Sequence, residues 1–90
     1  MSDETVFRAM AHAYRRSIVM NLRGGEIEAG KILPRSMLSQ PAASAHLQVL
    51  RKCGVIGFRR SGTKLMYRLN RAALRPIERF VATIERRPQR

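Results

Sequence analysis

Ninety residues carrying 18 Lys and Arg against 6 Asp and Glu, a formal net charge of +12 with pI ≈ 11.7, point to a polyanionic partner. A chain of this length folds as one small unit with a marginal core, which a second subunit would complete. No apolar run reaches the roughly 20 residues of a membrane span, and a single cysteine excludes an internal disulfide; no signal peptide of n-region plus h-region is expected at the start, no membrane partner is expected, and a reducing cytoplasm is.

The charge is unevenly placed. Residues 51–90 hold 12 basic and 2 acidic side chains, whereas residues 1–50 hold 6 and 4. A bias this large favours nucleic acid over an evenly solvated basic surface.

In chain order, residues 1–4 read as a loose polar start, after which Thr5 caps a short helix with Val6, Phe7, Met10 and Ala11 on a wide apolar face. His12 is assigned to this helix as a packing residue. Residues 13–22 form a second helix around Ile18, Val19 and Leu22, with Arg15 and Arg16 near its start and Gly24 and Gly25 ending it.

Residues 39–54 have both helix ends written into them. Ser39 is the N-cap, Pro41 sits where a missing N–H loses no hydrogen bond, Arg51 and Lys52 lie in the last turn, and Gly54 is the left-handed stop. Ala43, Leu47 and Leu50 make a narrow apolar stripe. The opposite face carries Gln40, Ala42, Ser44, Ala45 and Gln48, small or amide-bearing and uncharged. A solvated face usually carries Lys and Glu, whereas a face meeting base edges needs short side chains and directional donors and acceptors. A small-residue packing face has the same composition, so the flanking segments must decide.

Residues 55–60 and 64–69 alternate as strands of a hairpin joined through Arg60, Ser61, Gly62 and Thr63. Leu65, Tyr67 and Leu69 form one face, with Lys64, Met66 and Arg68 on the other. Arg59, Arg60 and Lys64 gather at the tip, where long cations follow phosphates or enter a minor groove; basic tips also protect hairpin edges from aggregation. Pro76 then opens a final helix to about Glu85. Its stripe of Leu74, Ile77, Phe80, Val81 and Ile84 is more than so small a body covers, so dimerisation follows, with Phe7 and Met10 joining the interface.

The run LSQPAASAHLQVLRKCGVI, with VFRAMAHAYRRSIVMNL before it and the Arg-rich hairpin after, resembles the winged helix-turn-helix repressors of the ArsR family over residues 6–84. Ala29 and Gly30 followed by the pattern from Ser39 to Gly54 make it more similar to the autorepressor branch, without the usual metal-binding cysteines. The resemblance implies a mainly α fold with a β-hairpin wing, about five helices plus a two-stranded antiparallel hairpin. It implies one domain over residues 1–90, with recognition helix 39–54, wing 55–69 and dimerisation helix 74–87. Residues 29–35 would be the first helix of the helix-turn-helix. Glu28 stands where the family usually has a Ser or Thr cap, and Pro34 removes the hydrogen bond to Gly30, so a helix of under three turns is expected. Residues 35–38 are then the turn, with Met37 or Leu38 anchored in the core. Arg15 and Arg16 lie where the family has arginines that approach the DNA backbone or brace the helices.

The functional expectation is a repressor that binds an inverted-repeat operator in double-stranded DNA as a homodimer. Its DNA-binding residues are Ser39, Gln40, Pro41, Ala42, Ser44, Ala45, Gln48, Arg51, Arg59, Arg60 and Lys64; its dimer interface is Phe7, Met10, Leu74, Ile77, Val81 and Ile84. Family members that sense metals use Cys or His clusters in the first helix-turn-helix helix or between final helices. Residues 26–35 hold neither Cys nor His, and residues 74–87 hold no His or Asp. No metal or cofactor is therefore expected, and the sequence names no effector. Cys53 reads as a small hydrophobe, and His12 and His46 as structural. Six acids and two histidines so dispersed assemble no catalytic set, so an enzyme is not expected. Two rivals remain: a sequence-indifferent DNA-coating protein, supported by the +12 charge, and a basic protein-interaction module, which the lack of aromatic or Met anchors on the face from Gln40 to Gln48 disfavours.

Overall fold

The computed structural model describes residues 3–86 and Pro88. Among these residues four α-helices occur: α1 Asp3–Met10, α2 Ala13–Asn21, α3 Gln40–Lys52 and α4 Arg75–Glu85. Three strands, β1 Ile27–Glu28, β2 Ile56–Ser61 and β3 Lys64–Leu69, form one antiparallel sheet in the order β1-β3-β2. Short 3-10 turns cover Leu22–Gly24, Ala29–Lys31 and Arg71–Leu74.

The mainly α fold with a hairpin wing is as expected, but the element count is corrected twice. There are four α-helices rather than five, because the segment expected to be the first helix-turn-helix helix makes only the 3-10 turn Ala29–Lys31. Pro34 cannot donate to the carbonyl four residues back. The Tyr14 hydroxyl donates instead to the Pro34 carbonyl at 2.8 Å, and the Leu38 amide donates to Ser36 Oγ at 3.1 Å, so side chains hold what a helix would have held. The sheet has three strands rather than two, since Ile27 and Glu28 pair with Tyr67 and Met66. A two-residue strand leaves no alternation to read.

Further boundaries shift. Helix α1 begins at Asp3, not at a Thr5 cap. His12 is not on the first helix: it is the N-cap of α2, its Nδ1 accepting the Tyr14 amide at 3.3 Å. Arg60 and Ser61 belong to β2, so the hairpin turn is the two residues Gly62 and Thr63, with Gly62 at φ +63 as such a turn demands. Met37 and Leu38 do not anchor the helix-turn-helix turn. Met37 is 103% exposed and Leu38 is also exposed, while Ile32 is fully buried and takes that role. The final helix ends at Glu85; residue 87, its expected last residue, lies outside the described residues.

The core gathers Val6 and Ala9 of α1, Tyr14, Ile18 and Val19 of α2, Leu22, Ile32, then Ala43, Leu47 and Leu50 of α3, Val55, and Ile56 and Tyr67 of the sheet. Fully burying a side chain such as Ile18 or Leu50 contributes about 1.5–3 kcal/mol. The radius of gyration is 15.0 Å, against about 12 Å for a compact chain of this length. The 58 × 29 × 23 Å outline is correspondingly elongated.

Candidate nucleic-acid interface

Helix α3 is fixed at both ends by its own sequence. Ser39 Oγ accepts the Ala42 amide at 3.2 Å, and Pro41 occupies the first turn. At the other end the Gly54 amide donates to the Arg51 carbonyl and the Val55 amide to the Leu50 carbonyl, both at 3.1 Å, with Gly54 at φ +80. This is a Schellman close, and Leu50 and Val55, both fully buried, supply its hydrophobic contact. Cys53 caps the helix from inside the core, its Sγ donating to the Leu50 carbonyl at 3.5 Å.

With Ala43, Leu47 and Leu50 facing inward, Gln40, Pro41, Ala45 and Gln48 are exposed, and Ala42 and Ser44 are half-buried at the edges of that face. The outward surface is thus the small, uncharged one read from the sequence. Lys52, exposed at the same helix's end, joins the candidates; sequence reasoning places its cation in the last turn without assigning it to DNA.

The cations beside this face fall into two groups. Arg60 and Lys64 are exposed at the hairpin tip, and among the described residues no hydrogen bond or ion pair engages either side chain. Arg59 projects from the face of β2 opposite Arg60, the face that Lys64 shares. Its Nε and Nη2 donate to the two Glu26 oxygens at 2.8 and 2.7 Å. That bidentate bond, helped by the charges of Arg59 and Arg68, holds the Glu26 carboxyl below its ordinary value, and Glu26 raises Arg59 in turn. Arg51 is also engaged. Its guanidinium lies 4.3 Å from the Phe58 ring centroid and donates to the Tyr67 hydroxyl at 3.5 Å, joining α3 to the hairpin.

No family model matches the chain. The transcriptional repressor SdpR of Bacillus subtilis is 38% identical over 69 residues, which are 77% of each chain. An ArsR-like transcriptional regulator from Rhodococcus sp. RHA1 superposes with a TM-score of 0.74 at 27% identity, over 91% of this chain and 77% of that one. The homodimeric winged helix-turn-helix DNA-binding domain Mb0332 of Mycobacterium bovis gives 0.67 at 30% identity, over 89% and 77%. The chain belongs to the ArsR family of transcriptional regulators.

Within this ArsR fold, Arg15 and Arg16 brace helices: Arg15 donates to His46 Nδ1 at 3.2 Å and to the Arg8 carbonyl at 3.3 Å, and Arg16 to the Met10 carbonyl at 2.8 Å. Among the described residues no three His, Cys, Asp or Glu side chains gather as metal ligands would, and no helix is long and apolar enough to cross a membrane. Along α4, Leu74 and Ile77 pack against the protomer's own core. Phe80 meets Phe7 of α1 edge-on at 5.6 Å yet stays 55% exposed, and Val81 and Ile84 are 45% and 66% exposed.

Proposed function

We propose that this chain is a cytoplasmic transcriptional repressor that binds an inverted-repeat operator as a homodimer, one α3 in each of two successive major grooves. The observation that carries this is the outward face of α3: capped, rigidly seated, free of large or charged side chains, and flanked by unpaired cations at the hairpin tip. Ser39, Gln40, Pro41, Ala42, Ser44, Ala45 and Gln48 are the base- and sugar-facing set, with amides for adenine edges and methyls for thymine. Arg60 and Lys64 reach phosphates or a minor groove, Arg59 joins them to the extent that Glu26 releases it, and Arg51 acts mainly by tying α3 to the wing.

Residues 1–90 act as one winged unit whose terminal helices build the dimer. Phe7, Met10, Leu74 and Ile77 form the inner part of the interface, and Val81 and Ile84, with Phe80, offer the exposed apolar surface. The name of Mb0332 describes a homodimer, which supports the same assembly here. Repression then needs no chemistry: a dimer across a promoter occludes polymerase.

Selection of bound duplexes from a random pool tests this. The expected result is an inverted repeat with half-sites about 10 bp apart, centre to centre, or a multiple of it. Recovery of no preferred sequence, with steep salt dependence, would instead identify a DNA-coating protein.

A further inference from the structure

The apolar stripe is not all that seats the recognition helix. His46 lies on the flank of α3 that meets α2, and Arg15 Nε donates to its Nδ1 at 3.2 Å while Nη1 of the same guanidinium donates to the Arg8 carbonyl at 3.3 Å. One side chain thus joins α1, α2 and the middle of α3. The His12 ring lies over His46 with centroids 4.0 Å apart and planes tilted by 42°, and the Tyr14 ring follows at 5.6 Å.

Both imidazoles accept through Nδ1, His12 from the Tyr14 amide and His46 from Arg15. A nitrogen that accepts carries no hydrogen, so the His46 ring is neutral with its proton on Nε2. Protonating His46 turns its Nδ1 into a second donor facing the Arg15 donor. The hydrogen bond then breaks, and a new cation faces a guanidinium on one side and an imidazole on the other.

Among the described residues no acidic side chain pairs with this cluster. From α2 the facing groups are Arg15 and the Tyr14 ring, and from the α1–α2 junction His12. The Arg8 side chain of α1 is paired with Glu4 at 3.4 Å, and α3 itself contains no acid.

We propose that His46, Arg15 and His12 form a proton-sensitive joint that positions α3, so that acidification loosens the recognition helix and weakens DNA binding. This rests on the DNA-binding reading above, and it makes the three residues positioning residues for Ser44, Ala45 and Gln48 on the neighbouring turn. Burial, then the charges of His12 and Arg15, hold the His46 imidazole below its ordinary 6.5. A base so depressed contributes stability that is complete above 6.5 and lost as pH falls through the folded-state midpoint. Long-range electrostatics has the opposite sign, since a chain at +12 that gains further charge should bind a polyanion more tightly.

The test is a titration of selected duplex at constant ionic strength from about pH 7.5 to about pH 5.5, with the natural chain, His46→Gln and His12→Asn. Gln keeps a neutral acceptor for Arg15, and Asn keeps one for the Tyr14 amide. The natural chain should lose affinity roughly three- to tenfold on acidification. His46→Gln should flatten the profile, and His12→Asn should move the fall to higher pH by removing the imidazole that opposes His46 protonation. Affinity that stays level or rises, or an unchanged fall in both variants, overturns the joint. Nitrogen-detected NMR of the free protein separates this from failure of the DNA reading: the Arg15 Nε–H signal should vanish in step with His46 protonation whether or not any duplex binds. A signal that persists through that titration overturns the joint on its own.

Discussion

Helices α3 and α4 are written in the same local code and end in opposite situations. Each is short and amphipathic with a proline in its first turn, yet α3 buries Ala43, Leu47 and Leu50, and α4 has no buried residue. Helix α3 is wedged between α2 and the sheet, so its stripe is covered by its own chain. Helix α4 packs on α1 along one edge, and Phe80, Val81 and Ile84 face outward. An amphipathic stripe says that something must cover it and leaves open which body does.

Substitutions at equivalent stripe positions should therefore separate folding from assembly. Leu50→Ala empties a fully buried site and should lower protomer stability by about 2–5 kcal/mol in denaturant unfolding, whereas Val81→Ala should leave protomer stability nearly unchanged. Equal losses at the two positions would erase the contrast. Val81→Glu places an unpaired charge on the exposed stripe, and in the proposed dimer it should remove several kcal/mol of association while leaving the protomer folded. Sedimentation reads this directly: monomers with weak half-site binding are expected, and an intact dimer would move the interface elsewhere.

A finer contrast lies within the wing. Arg60 or Lys64 changed to Ala should lower the slope of log affinity against log salt by about 0.9 for each phosphate the side chain had neutralised. Arg59→Ala should lower it less, because Glu26 already holds that guanidinium. Glu26→Gln should bring Arg59 up to the others. The depressed Glu26 carboxyl stabilises the folded pair above its ordinary 4.5, and that contribution is lost as pH falls through the lower folded value. Equal slopes for Arg59→Ala and Arg60→Ala would show that Glu26 restrains nothing.

What was legible in the sequence follows the range of the interactions. The caps at Ser39 and Gly54, the strand alternation after Gly54 and the apolar stripe of α4 are local, and the structure has each of them. Strand β1 was not legible, because Ile27 and Glu28 are held by partners some 40 residues away in β3. Sequence reasoning gives the anchoring of the turn at residues 35–38 to Met37 or Leu38, yet once Pro34 stops the helix the chain turns Ile32 inward and leaves both exposed. Charge alone groups Arg51 and Arg59 with the DNA cations; their engagement by Phe58, Tyr67 and Glu26 depends on strand register, which no local pattern encodes. The pairing of His12 with His46 was hidden for the same reason, the two rings coming from different helices and lying 34 positions apart in the chain.

The central claim is that α3 reads bases while the wing reads phosphates, and the measurement closest to it is the affinity ratio between selected and scrambled duplexes for Gln48→Ala and Arg60→Ala at one salt concentration. Gln48→Ala should shrink that ratio by about 1–3 kcal/mol per half-site with the salt slope unchanged. Arg60→Ala should weaken both duplexes alike and keep the ratio. If Gln48→Ala leaves the ratio intact while Arg60→Ala collapses it, sequence is read by the wing and the assignment of α3 is contradicted.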